Sequence, residues 1–154
     1  MNDNIMKSLF DSDTHQEVLQ RIEKLDETMQ PVWGKMNATQ MIKHSQKPLQ
    51  VANGKLALKS PNPFMKLVFK LFKSSLYDDK PWKQNLPTAK EFVVRDTEDF
   101  EAEKNQLIAD IHEFGKKSTN LHWPEHPVFG KFTTDQWGKM QYKHIDHHLR
   151  QFGV

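Results

Sequence analysis

TTDQWGKMQYKHIDHHLRQFGV, residues 133–154, is the stretch whose reading decides the fold. Thr133 followed by Gln136 has the form of a capping box, in which two side chains satisfy the orphan N–H groups of a helix's opening turn. Behind it Trp137, Met140, His144, Ile145, His148, Leu149 and Phe152 recur at the spacing of one helical face. A long helix with one strongly apolar side has to bury that side against other helices.

Three further stretches carry the same signals. Asp13 with Gln16 opens a first helix whose Val18, Ile22, Leu25 and Met29 keep helical spacing until Pro31. Asn37 with Gln40 opens a second, running to about Asn53 with Gly54 as its C-terminal cap. Its apolar line is Met41, His44, Pro48 and Ala52, thickened by Leu49 and Val51, and Pro48 is expected to bend it. A third spans Glu98 to Lys117, with Phe100, Leu107, Ile111 and Phe114 on one side.

Between the second and third helices lie roughly 43 residues, too many for a tight turn. Pro63 opens a short amphipathic helix there, Phe64 to Lys73, followed by chain punctuated at Pro81 and Pro87. The expected fold is therefore all-α and a single domain over residues 1–154. It is a four-helix bundle whose long crossover, with its short extra helix, lets the second and third helices run the same way, giving an up-down-down-up order.

Composition narrows the chemistry. Among 154 residues there is no cysteine, which excludes disulfides, thiolate ligands and a cysteine nucleophile. The net charge of +2 hides blocks: residues 55–90 carry 8 lysines against 2 aspartates, and residues 91–113 carry 8 acids against 2 bases. Such blocks complement one another within a fold, and a basic segment flanked by acidic helices does not make a nucleic-acid binder. The opening MNDNIMKSLF lacks a secretory leader, and PFMKLVFKLF is too short to span a bilayer, so a cytoplasmic location is expected.

In that extra helix Phe64, Leu67, Val68, Leu71 and Phe72 stand beside Lys66, Lys70 and Lys73, a pattern that also suits anionic lipid. Such a stretch ordinarily packs on its own bundle with its lysines in water, so no membrane partner is expected. Trp137 belongs to the core by spacing. Trp33, Trp82 and Trp123 sit near turns, where an aromatic covers the end of a core, and none is given a binding role.

His144 and His148, four residues apart, place two imidazoles on one helical side about 6 Å apart along the axis, where they can converge on one ion. A third ligand then has to come from another helix. His44 lies about six residues into the second helix, and the midpoint of His144 and His148 about six residues before the end of the fourth. In antiparallel helices both levels are roughly 9 Å from the same end of the bundle. His15 and His112 belong at the opposite end. His122 and His126 share the four-residue spacing, but Pro124 and Pro127 break any helix there, leaving them in a loop. A lone histidine on an apolar face is ordinarily a core residue with one hydrogen bond, but three at one level of one bundle are explained together by a shared cation.

The tracts WGKMNATQMIKH and HPVFGKFTTDQWGKMQYKHIDHHLRQFGV, with His144, His148 and Gln151 spaced H-x3-H-x2-Q, resemble the DinB/YfiT-like superfamily of metalloenzymes. Within it they are most similar to a bacterial branch known only as a domain of unknown function. The resemblance covers the two motif regions and the helix order, and it does not place residues 55–95. It implies an up-down-down-up bundle, commonly a homodimer, with a three-histidine site for zinc, nickel or a similar divalent ion. Some relatives are transferases that use low-molecular-weight bacterial thiols, and others are called hydrolases. Leu149 and Arg150 depart from the commoner H-x3-H-R-G-Q pattern, so the histidines carry over and a substrate does not.

The expected function is a metal-dependent enzyme, a thiol-dependent transferase or hydrolase, with His44, His144 and His148 as ligands and a small-molecule substrate. Gln151 and Gln141, one turn either side of the histidine pair, are candidates for orienting ligands or substrate, the plainer alternative being that they cap buried polar contacts. Glu103 is a candidate proton acceptor, the alternative being a solvent-facing acid. His147 points about 60° away from His144 and is expected to be exposed. The competing reading is a non-catalytic bundle in which the ion serves stability alone.

Overall fold

Asn37 and Thr133 both close true capping boxes: Gln40 N–H donates to Asn37 Oδ1 and the Gln40 side chain accepts from Asn37 N–H, and Gln136 answers Thr133 in the same way. The computed structural model describes residues 6–154, so the first five residues of the opening stretch read for a leader lie outside it. Its α-helices are α1 (Ser12–Glu23), α2 (Ala38–Ala52), α3 (Pro63–Phe72), α4 (Phe100–Gly115) and α5 (Thr134–Gln151). Two short 3₁₀ turns, Lys73–Leu76 and Lys90–Phe92, complete the crossover. No strand occurs among the described residues, only an isolated bridge between His126 and Gly130. The fold is all-α, and among the described residues no helix is long and apolar enough to cross a membrane.

The helix ends follow local chemistry. α2 stops where Gly54, at φ +77°, lets its own N–H reach Val51 O while Lys55 N–H reaches Gln50 O, satisfying two orphan carbonyls. α1 is shorter than its apolar spacing predicts. Its N-cap is Asp11 rather than Asp13, and it ends at Glu23 instead of near Met29. Asp26 supplies the reason: its carboxylate accepts from Thr28 N–H, and its carbonyl from Met29 N–H, so the chain turns where the helix would have continued. Leu25 is still buried, but from the turn.

The core gathers one face from each of α1, α2, α4 and α5, with Val18, Ile22, Met41, Ile42, Leu49, Leu107, Ile111, Ile145 and Leu149 almost wholly enclosed. α2 packs most extensively on α4, across a polar seam. Lys43 and Gln46 meet Glu103, and farther along Gln50 and Asn53 meet Asp110, so the contacts advance together on the two helices. Against α5 they advance oppositely, His44 meeting His144 and Pro48 meeting Gln141. Arg21 of α1 pairs with Asp146 of α5, and His15 of α1 meets His112 of α4 at 3.2 Å.

The N-terminal segment comes close to α5 at Gly138. Leu9 N–H donates to its carbonyl, and a Cβ there would stand 2.6 Å from Phe10 Cδ2 and closer still to Ser8 Oγ. Gly138→Ala, worth up to ~1 kcal/mol of added helix propensity, is expected instead to destabilise by about 1–3 kcal/mol through overpacking. The midpoint of urea unfolding at unchanged slope measures it.

Candidate metal centre

α2 and α5 bring His44, His144 and His148 together. All three are buried, each offers one ring nitrogen, and these nitrogens lie within 4.8 Å of one another. The ring centroids are 5.0 Å apart for His44 and His144, 4.6 Å for His44 and His148, and 4.7 Å for the α5 pair. The three are therefore close enough to hold one metal ion.

Partners behind two of the rings decide which nitrogen faces inward. His44 Nδ1 donates to the carbonyl of Phe92 at 3.0 Å, in the second 3₁₀ turn of the crossover. His148 Nδ1 donates to Gln151 Oε1 at 2.8 Å, and the Gln151 amide in turn donates to Trp33 O at 2.8 Å. With Nδ1 committed in both, Nε2 carries the free lone pair, the arrangement that outer partners impose on ligating histidines. His144 Nε2 sits 3.1 Å from His44 Nε2, and its buried Nδ1 has no hydrogen-bond partner.

Burial holds all three rings in the neutral, ligating form. It depresses the pKa of His44, depresses that of His144 strongly, and pushes His148 down to about 3, with repulsion between the rings adding to the effect on the α5 pair. Three buried neutral imidazoles with no carboxylate among them, one with an orphan nitrogen, form a donor set suited to a borderline divalent cation.

The cluster opens on a cleft of about 1340 Å³, larger than the usual small-molecule pocket of ~300–1000 Å³. Its walls are mainly apolar and aromatic, among them Trp33, Met36, Trp82, Phe92 and Met140. Trp82 stands edge-on to His144 at 5.9 Å, so a residue given no role from sequence borders the site. His147 is not exposed as expected. It lies half-buried between Trp33 and Trp82, 5.8 and 5.7 Å from their ring centres, and lines the cleft.

The other candidates separate cleanly. Gln151 touches the site through His148. Gly34, with φ +85°, brings the loop so near that a Cβ there would strike the Gln151 amide. Gln141 is fully buried outside the cleft, its amide on Pro48 O and its Oε1 without a partner. Glu103 also lies away from the cleft, and it is not the solvent-facing acid of the plainer reading. It is buried against α2, where desolvation raises its pKa but donation from Glu98 N–H, Gln46 and Lys43 outweighs this and leaves it lowered.

The fold and the site fix which comparison matters, and a family profile matches residues 5–153. The chain belongs to the family described as Protein of unknown function (DUF1569). No curated protein and no solved structure matches it.

His126, in the loop as expected, is buried among Phe129, Phe132 and Trp137, and its Nδ1 accepts from Val128 and Phe129 N–H. Burial lowers its pKa to about 4. Because the unfolded chain takes up the proton near its ordinary pKa of ~6.5, His126 costs no stability above that pH. Its share is lost as pH falls from there toward 4. His126→Asn, which keeps an acceptor near Nδ1 and does not titrate, is expected to lose less stability over that interval, measured by urea unfolding at a series of pH values.

Proposed function

We propose that this chain is a metal-dependent enzyme of the DinB-like type, a thiol-dependent transferase or hydrolase, in which His44, His144 and His148 hold a zinc or nickel ion. The observation that carries the reading is the convergence of three buried, neutral imidazoles that line a large apolar cleft. In the same proposal α1, α2, α4 and α5 form an up-down-down-up bundle. The contact order supports this, advancing together between α2 and α4 and oppositely between α2 and α5. The resemblance of the two histidine tracts to DinB-like proteins also favours a homodimer and a low-molecular-weight thiol as co-substrate.

Held by His44, His144 and His148, a divalent cation would supply Lewis acidity toward a carbonyl or an incoming thiol. The chain's own contribution is arrangement. Gln151 fixes the His148 tautomer and ties it to the Trp33 loop, while Phe92 O does the same for His44. Trp33, Trp82 and Phe92 form walls that would exclude water from an apolar substrate over the site. Gln141 and Glu103 take no part in this mechanism, since neither reaches the cleft.

Protein purified without an affinity tag is expected to carry stoichiometric zinc or nickel by elemental analysis, and His144→Ala to carry little. Gln151→Ala, which frees His148 from its outer partner, is expected to weaken metal affinity about 10–100-fold. The metal-loaded protein should turn over thiol-transfer or ester substrates, and His148→Ala should abolish turnover while the circular dichroism spectrum persists. Strong destabilisation by chelators with no turnover of any thiol or ester would replace the enzyme with the non-catalytic scaffold.

A further inference from the structure

α3 has seven large apolar side chains among its ten residues, and none of them is buried. The expectation that this helix packs on its own bundle is therefore met only in part. Only its inner side is engaged: Met65 and Phe69 line the cleft, and Phe69 leans on Phe129 at 5.8 Å. The other side faces outward, with Phe64 72%, Leu67 61%, Leu71 74% and Phe72 61% exposed. At about 100° per residue, Phe64, Leu67 and Leu71 fall within an arc of roughly 60°. A contiguous apolar surface of this kind on a folded chain marks an interaction site.

Charge identifies the occupant. Lys66 and Lys70 border the apolar arc on the same helix, and the segment around them, residues 55–90, holds 8 lysines against 2 aspartates. One of the two, Asp78, is already taken by Lys143. A second copy docking face to face would set Lys66 and Lys70 against their own counterparts, a like-charge contact that opposes association. A lipid surface with anionic headgroups meets the same lysines with opposite charge and accepts the phenylalanine and leucine side chains just below.

We propose that the outer face of α3, with Phe64, Leu67, Leu71 and Phe72 inserted and Lys66 and Lys70 at the headgroups, docks the protein on an anionic lipid bilayer. The helix is too short to cross the bilayer and lies in its interface. Docked in this way, the face adjoins the apolar cleft that Met65 and Phe69 help to wall. The inference stands apart from the metal chemistry and needs neither ion nor turnover.

Vesicle flotation of the full chain tests it, with phosphatidylcholine vesicles compared with phosphatidylcholine–phosphatidylglycerol vesicles. The protein is expected to float with the anionic vesicles at low salt, to be partly released by high salt, and to float poorly with phosphatidylcholine alone. Leu67→Glu with Leu71→Glu should cut that binding by about tenfold or more. Both side chains are exposed, so melting should be unchanged, which separates loss of docking from loss of fold. Lys66→Glu with Lys70→Glu should remove the preference for phosphatidylglycerol. Absence of flotation at low salt overturns the proposal, as does flotation indifferent to the leucine pair. Self-association that is abolished by the leucine pair, without vesicle binding, overturns it too and assigns the face to a second copy.

Discussion

The antiparallel contact between α2 and α5 is what brings the three buried histidines together. Helices related in this way bring an early residue of one to the level of a late residue of the other, and His44 meets His144 and His148 for that reason alone. Removing three imidazoles from water is unfavourable unless their nitrogens find partners. Two rings have them, in Phe92 O and Gln151, and each such bond leaves the opposite nitrogen turned toward the common centre. Packing and chemistry thus reinforce one another. The apolar face that drives α5 into the core is also the face that carries His144 and His148.

The polar seam between α2 and α4 holds the neighbouring helix in register. Asp110 is completely enclosed, yet its carboxylate collects Gln50, Gln106 and Lys55, while Glu103 collects Gln46 and Lys43. Sliding α4 by one turn along α2 would leave those carboxylates buried without partners, a cost of a few kcal/mol for each at least. An apolar seam would tolerate such a slip far better. The depth at which α2 presents His44 therefore depends partly on interactions remote from the histidines.

What could be read from the chain follows from how local the signal is. Periodicity and capping boxes are written within a few residues, so α2, α5, the crossover helix and the trio of histidines were all visible in the sequence. The end of α1 was not, because an apolar period continued through Leu25 and Met29 while Asp26 turned the backbone beneath it. Glu103 was hidden because a carboxylate in an acidic helix looks solvated unless its partners on α2 are known. Trp33 and Trp82 reach the site from irregular chain and Phe92 from the end of a short 3₁₀ turn, where no period records which way a side chain or carbonyl points. The exposure of α3 is the same problem inverted: its pattern announces an apolar face, and only the three-dimensional arrangement reveals that the bundle does not cover all of it.

The bond from His44 to Phe92 has a further consequence. It closes the crossover onto α2 across 48 positions of sequence, and the proton that makes it is the one that must sit on Nδ1 for Nε2 to ligate. One tautomer choice therefore decides both whether this ring offers its electron pair and whether the far wall of the cleft is tethered. Replacing His44 would remove a candidate donor and the tether to the crossover together, whereas replacing His144, whose Nδ1 has no hydrogen-bond partner, would remove a candidate donor alone. Natural variation at position 44 would thus be pleiotropic in a way that variation at 144 is not.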